Sequence, residues 1–203
     1  MTITWGARAF ATAALLLVAL AACSDDGGAP APPRTTSTPA ATTTPTPLTE
    51  SQVASVAAET KLREYYATTD ELRQDPSLSI SRLKAVAISS ELTSQQHLLR
   101  GERRDGRRQV GDTKIAELEV QAVNLDNSDP KAGKVPTVQI DVCFDVTDAD
   151  LVDKDGKSVV SADRPDTGWI RHIIANYQWD SDPDGAWRVA SSQDLKKKPC
   201  AAV

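Results

Sequence analysis

The chain has 203 residues, with 28 Asp and Glu against 23 Lys and Arg, for a formal net charge of −5. That balance argues against a general nucleic-acid binder, because neutralising phosphates takes a basic face. Once the N-terminal segments are set aside, about 150 residues remain to fold, the size of one domain with one core.

Arg8 precedes an uninterrupted run of small and apolar residues from Ala13 to Ala22. The run is too short for a permanent bilayer span and reads as a secretory signal. It ends in Leu20-Ala21-Ala22-Cys23, where small residues directly before a cysteine are similar to the lipobox of bacterial lipoproteins. The resemblance implies cleavage just before Cys23 and a diacylglyceryl group on its thiol. Residues 1–22 are then the signal peptide, and the bilayer is the first partner, contacted from the extracytoplasmic side. Losing Arg8 takes the formal charge from −5 to −6. Two fatty chains hold a protein stably, since each buried methylene contributes about 0.8 kcal/mol. With Cys23 assigned to the lipid, Cys143 and Cys200 remain, and outside the cytoplasm they are expected to form a disulfide.

Residues 23–48 hold the lipidated cysteine and a segment dominated by Pro, Thr, Ser, Ala and Gly. Such a composition buries too little apolar surface to offset chain entropy, so it is expected to act as a disordered tether. Extended, it reaches at most ~80 Å.

The domain, residues 49–203, opens at Thr49-Glu50-Ser51-Gln52, which has the spacing of a capping box. Ala54, Ala58, Leu62, Tyr65, Thr69 and Leu72 then recur at steps of three and four, predicting one long helix stopped by Asp75-Pro76. Leu83, Val86, Ala87 and Ser90 predict a second, shorter helix, and Thr93 to Arg104 a third. Arg100, Arg103, Arg104, Arg107 and Arg108 form the one basic cluster. It is interrupted by Glu102 and Asp105, and the interleaved signs favour a solvated loop with internal ion pairs over a docking patch for anionic headgroups.

After Gly111 the pattern changes to alternation. Lys114 to Leu125 reads as a strand with a bulge near Glu117-Leu118, followed by a turn-rich loop from Asn127 to Gly133. Val138, Ile140, Val142, Phe144 and Val146 alternate with Thr137, Gln139, Asp141, Cys143 and Asp145, so one face is core and the tail bearing Cys200 should cross the other. Asp155-Gly156 signals a hairpin turn between Leu151-Val152 and Val159-Val160. Thr167 to Trp179 and Ala186 to Ser191 read as the last two strands.

Helices first and antiparallel strands afterwards predict an α+β domain, with the helices packed on one face of a curved sheet. Tyr65-Tyr66 in the opening helix, the Val138 to Val146 strand, the tryptophan-bearing strand and the terminal Trp187-Arg188-Val189 strand together resemble the nuclear transport factor 2-like, or SnoaL-like (cystatin-like), cone. Small actinobacterial lipoproteins with a cysteine in the middle strand and another at the tail look like this. The resemblance implies a fold that hosts isomerases, dehydratases and plain binding or scaffold modules, including extracytoplasmic domains of conjugation and secretion machines.

An isomerase of this type would set a carboxylate base and a proton donor inside an apolar cone. Tyr65, Tyr66, Asp141, His172 and Tyr177 are the candidates for an open cavity, while Trp169, Tyr177 and Trp179 are candidates for sealing it. No convergent acid and base pair is visible, so no catalytic residue is assigned and the domain is expected not to be an enzyme. Nucleophile-elbow, Walker and dinucleotide patterns do not occur. Asp180, Asp182 and Asp184, closed by Gly185, match the first half of an EF-hand loop. Pro183 and Ser191 at the twelfth position depart from it, which favours an acidic turn and no metal. The expectation is a lipid-anchored binding or scaffold domain with no cofactor, taking a protein partner or a small ligand. The alternatives are an isomerase-like enzyme and an accessory part of an envelope conjugation or secretion machine.

Overall fold

The computed structural model describes residues 47–203. The signal segment, Cys23 and nearly all of the tether lie outside the described residues. The capping box at Thr49 is present: Thr49 Oγ1 accepts from Gln52 N at 3.3 Å, and Thr49 N donates back to Gln52 Oε1 at 2.8 Å. It opens helix α1, Glu50–Gln74, whose last backbone bond is made by Asp75.

Two expectations for the next segment are corrected. The predicted short helix is a 3₁₀ turn, Ile80–Ala85, and the chain then extends so that Ala87 bridges Val189 in parallel. The third helix starts earlier than predicted and becomes α2, Ser89–Arg104. Leu83 and Leu99 join Leu72 of α1 in a small second core. Leu83 thus keeps its apolar role with too few residues left over for a separate helix.

The arginine run is not a free loop. It spans the end of α2 and strand β1, Arg108–Val110, which pairs antiparallel with β4, Asp150–Val152. Arg73 of α1 forks onto buried Glu102 at 2.6 and 3.1 Å, while Arg104 and Arg107 face Asp105 at 3.5 and 3.8 Å. The Asp155-Gly156 turn exists, with Gly156 at φ 79°, and its second arm folds back on the free edge of β4 through Asp153 N to Lys157 O and Val159 N to Leu151 O, each 2.9 Å, and the Val152–Ser158 bridge.

The main sheet has four antiparallel strands in the order β2-β3-β5-β6: β2 Lys114–Asn124, β3 Thr137–Asp145, β5 Thr167–Asn176 and β6 Trp187–Leu195. β2 carries two register shifts, one beside the predicted position and one between Val120 and Ala122. Such bulges bend a strand and tighten its twist, which curves the sheet around the helices. β5 ends at Asn176, so Tyr177 and Trp179 belong to the turn that follows it.

The two faces of β3 separate as its alternation predicts. Val138, Ile140 and Val142 join Ala54, Ala58, Leu62 and Tyr65 of α1 in the core, together with Ile174, Trp187 and Val189. On the other face the C-terminal tail forms a strap. Cys143 and Cys200 have their sulfurs at bonding distance, 1.99 Å, across 57 positions of sequence. Trp169 Nε1 donates to Lys198 O at 3.0 Å, Thr167 Oγ1 to Cys200 O at 3.1 Å, and Val203 N to Asp145 Oδ2 at 2.7 Å. The helices therefore cover one side of a curved antiparallel sheet and the strap covers part of the other.

Replacing both cysteines by serine removes the cross-link without disturbing the core face. On the chain-entropy estimate, a loop of this size contributes about 4 kcal/mol, and the variant is expected to lose between about 2 and 4 kcal/mol. Urea unfolding of the two proteins, compared at equal slope, measures the difference.

Candidate functional site

The site grows from the α1 stripe. Tyr65 lies in the core, and the adjoining flank of the helix carries Tyr66, Asp70 and Arg73 at steps of four and three. β5 contributes His172, on the core face between Ile170 and Ile174 and opposite Ile140. A register shift in β6 leaves Ala190 as an extra residue and pairs Ser192 with His172. The shift turns the Ser192 hydroxyl inward, a use of bulges that re-aims a side chain.

Glu91, in the first turn of α2, is buried among these groups and accepts from three of them. Tyr65 OH donates to it in a short bond, Gln95 Nε2 donates at 3.0 Å, and Ser192 Oγ at 2.6 Å. Burial, reinforced by the Glu91 charge, raises the Tyr65 hydroxyl far above the ordinary phenol range, so it stays a donor. Tyr66 is raised in the same way, by burial first and then by the charges of Glu91 and Asp70. Asp70 is also raised by burial, a trend opposed by bonds from Gln109 Nε2 at 2.7 Å, Thr113 N at 2.7 Å and Thr113 Oγ1 at 3.0 Å.

His172 is 2% exposed. Its Nε2 lies 3.0 Å from Tyr66 OH, and its Nδ1 is buried with no partner. Burial lowers its pKa to about 4, against the pull of the Glu91 and Asp141 charges, so the ring is neutral at pH 7. We assign the proton to Nδ1, because the phenol can then donate to Nε2 and one buried polar group is left unpaired, where the other tautomer would leave both Nδ1 and the Tyr66 O–H unpaired. The Tyr66 hydroxyl then donates to the imidazole, and the Nδ1–H has no partner among the described residues. The rings of Tyr65, Tyr66 and His172 meet edge to face at centroid distances of 5.7 to 5.9 Å, which fixes their orientation.

This cluster lines a hollow of about 210 Å³ walled by Thr69, Arg73, Leu98, Phe144 and Ile170. A second, wider groove of about 440 Å³ shares Tyr66, Asp70 and Thr113 with it and opens between α1 and the start of β2. Trp169 does not fill the interior, whereas Trp179 packs against the core. Trp169 lies on the outer face against the strap, and Trp179 packs on Trp187 at 5.9 Å.

Of the cavity candidates, the structure brings together Tyr65, Tyr66 and His172 and excludes two. Asp141 faces the other side of the sheet, where Arg171 forks onto it at 2.6 and 2.9 Å and Lys197 of the strap adds a bond at 2.7 Å. The Arg171 bonds hold its carboxyl below the usual range. It is on the face opposite Ile140 because successive strand residues alternate. Tyr177 is 45% exposed in the turn after β5 and has no contact with the hollow. The acidic turn does not gather a metal site either. Asp182 Oδ1 accepts from Gly185 N at 2.8 Å, Asp180 Oδ1 accepts from Asn127 Nδ2 at 2.9 Å, and no group of three ligating side chains exists among the described residues.

Sequence reasoning missed Glu91, Ser192 and Asp70. Glu91 with Gln95 four residues on reads as an ordinary exposed helix pair, and Ser192 faces inward only because of the β6 bulge.

No protein-family model matches the chain, and no curated protein matches it in sequence. Among solved structures it is similar to the intermembrane space region of the chloroplast protein ARC6, with a TM-score of 0.47 and 16% identity over 73% of this chain and 98% of that one. It is also similar to the putative transfer protein TraH from the Gram-positive conjugative plasmid pIP501, at 0.37 and 9% over 70% and 94%. Mtr2 follows at 0.34 and 12% over 70% and 99%. At these values none of them bears on function.

His172 predicts a pH dependence. Its folded pKa of about 4 lies below the ordinary imidazole value of 6.5, so between these values the unfolded chain binds the extra proton and stability falls as pH drops. The full effect is roughly 3 kcal/mol. Urea unfolding of the wild type and His172→Gln across this range should show a steeper loss in the wild type.

Proposed function

We propose that this chain is a lipid-anchored, extracytoplasmic binding protein whose domain presents the hollow beside Tyr66 to a small ligand or to one side chain of a partner. The observation that carries the binding half is His172, which lines the hollow beside Tyr66 and keeps its buried Nδ1 without a partner among the described residues. Buried polar groups are rarely left with unused hydrogen-bonding capacity, so an acceptor brought by a ligand fits there. The mixed lining, with Phe144 and Ile170 beside Thr69 and Arg73, suits a ligand with one polar end and an apolar body.

The reading is non-catalytic. The carboxylates nearest the hollow, Glu91 and Asp70, each accept three hydrogen bonds from fixed donors, and His172 is neutral and tied to Tyr66. A general base needs a lone pair free to reach a substrate proton; the Nε2 lone pair of His172 is taken up by Tyr66, and three acceptor positions of each carboxylate are filled.

The anchoring half rests on Leu20-Ala21-Ala22-Cys23 and on the proline- and threonine-rich residues that follow. A tether of this length keeps the domain at high local concentration beside the membrane, which favours encounter with a ligand or partner confined there.

Cys23→Ser expressed in the native host tests the assignment of place. The wild type is expected in the membrane fraction and the variant in the soluble or uncleaved precursor fraction. A wild-type protein that fractionates with the soluble material overturns the anchor.

A further inference from the structure

Tyr177, excluded from the cone, belongs to a separate hollow of about 190 Å³ at the end of the sheet where the β2–β3 and β5–β6 connections meet. Asn127 comes from the first connection, and Tyr177, Gln178, Trp179 and Asp180 come from the second. We propose that this hollow is a binding site for one ring of a neutral saccharide. It is separate from the hollow beside Tyr66 and does not rest on that reading.

Size comes first. Pockets for drug-sized ligands begin at roughly 300 Å³. This one is smaller, and a single pyranose ring suits it.

Chemistry comes second. A sugar ring presents a C–H face and a rim of hydroxyls, each both donor and acceptor. Tyr177 is 45% exposed, and its hydroxyl has no partner among the described residues. An exposed aromatic ring offers a negative face to C–H groups and a polar tip beside them. Asn127 Nδ2 donates to Asp180 Oδ1 at 2.9 Å, which fixes the two planar groups side by side. Asn127 Oδ1, its second N–H and Asp180 Oδ2 have no partner among the described residues, nor does the side-chain amide of Gln178. That array of acceptors with a donor between them matches neighbouring hydroxyls.

Rigidity comes third. The turn is held from beneath by Asn176, which is fully buried and donates to Asp182 O at 2.8 Å and Pro183 O at 3.1 Å while accepting from Gln178 N at 2.8 Å. Trp187 Nε1 donates to Pro183 O at 2.9 Å, and Trp187 packs against Trp179. A site whose side chains are fixed before the ligand arrives loses less entropy on binding. These bonds hold the backbone of the exposed turn on the buried Asn176 and Trp187.

Charge decides between sugar classes. Residues 126–134 and 177–185 carry Asp126, Asp129, Asp180, Asp182 and Asp184 against Lys131 and Lys134, five negative against two positive, for a net −3. That field repels carboxylated or phosphorylated polymers and leaves neutral glycans as the class that fits.

The test uses the purified mature protein in a detergent without a sugar headgroup, titrated with mannotriose, cellotriose and N-acetylated chitotriose, with oligogalacturonate as the anionic control. The Trp179 indole resonance is followed by NMR. At least one neutral trisaccharide should give a saturable shift with a millimolar Kd. Tyr177→Ala and Asp180→Ala, both at exposed positions, should each weaken binding roughly tenfold with an unchanged Tm. Tyr66→Phe should leave it unaltered, which separates this site from the cone. Three results each overturn the proposal: no saturable shift with any neutral trisaccharide, preferential binding of oligogalacturonate, or wild-type binding by Tyr177→Ala.

Discussion

The antiparallel pairing of β3 with β5 organises everything else in the domain. Because side chains alternate, one register sets Ile140 beside His172 on the helix-covered face and Asp141 beside Arg171 on the other, with Cys143 next to Trp169. A slip of one residue would bury Asp141 and Cys143 under α1 and expose Val138, Ile140 and Val142. The inner site and the outer strap therefore depend on the same register. Asp141 holds Arg171 and the strap residue Lys197 together, and the disulfide leaves from the same face of β3 two residues further on.

On the inner face, one polar ring among apolar neighbours forces a local order. His172 sits among Ile140, Ile170 and Ile174, and burying it there requires a partner. Tyr66 supplies one on one nitrogen, and Tyr65 turns away to Glu91. The resulting cluster ties α1, α2, β5 and β6 to one another through side chains. Such a network specifies a single arrangement when its members are satisfied, and the unpaired Nδ1 of His172 is the place where it stays open to a ligand.

How much of this could be read from the sequence follows the range of each signal. The α1 cap and stripe, the β3 alternation and the cysteine pair are local patterns or parity, and each reads directly. Tyr65, Tyr66 and His172 were legible as cavity residues because their positions within α1 and β5 follow from those patterns. Asp141 was misplaced because a carboxylate on the central strand invites a catalytic reading, although the same alternation already put it on the polar face. Glu91, Ser192 and the Ala87–Val189 bridge were invisible. They depend on a bulge at Ala190 and on the chain extending after Ala85, and neither leaves a mark in hydrophobic spacing. The strand through Tyr177 and Trp179 was drawn too long because aromatic residues favour strands, while Asn176 ends this one by bonding into the turn.

The protonation of His172 tests the account most directly, since the unpaired Nδ1–H follows from it. Nitrogen-15 NMR of the imidazole ring at neutral pH should show a neutral ring with its proton on Nδ1 and an unprotonated Nε2. An imidazolium would contradict the neutral buried ring, and a neutral ring protonated at Nε2 would contradict donation by Tyr66.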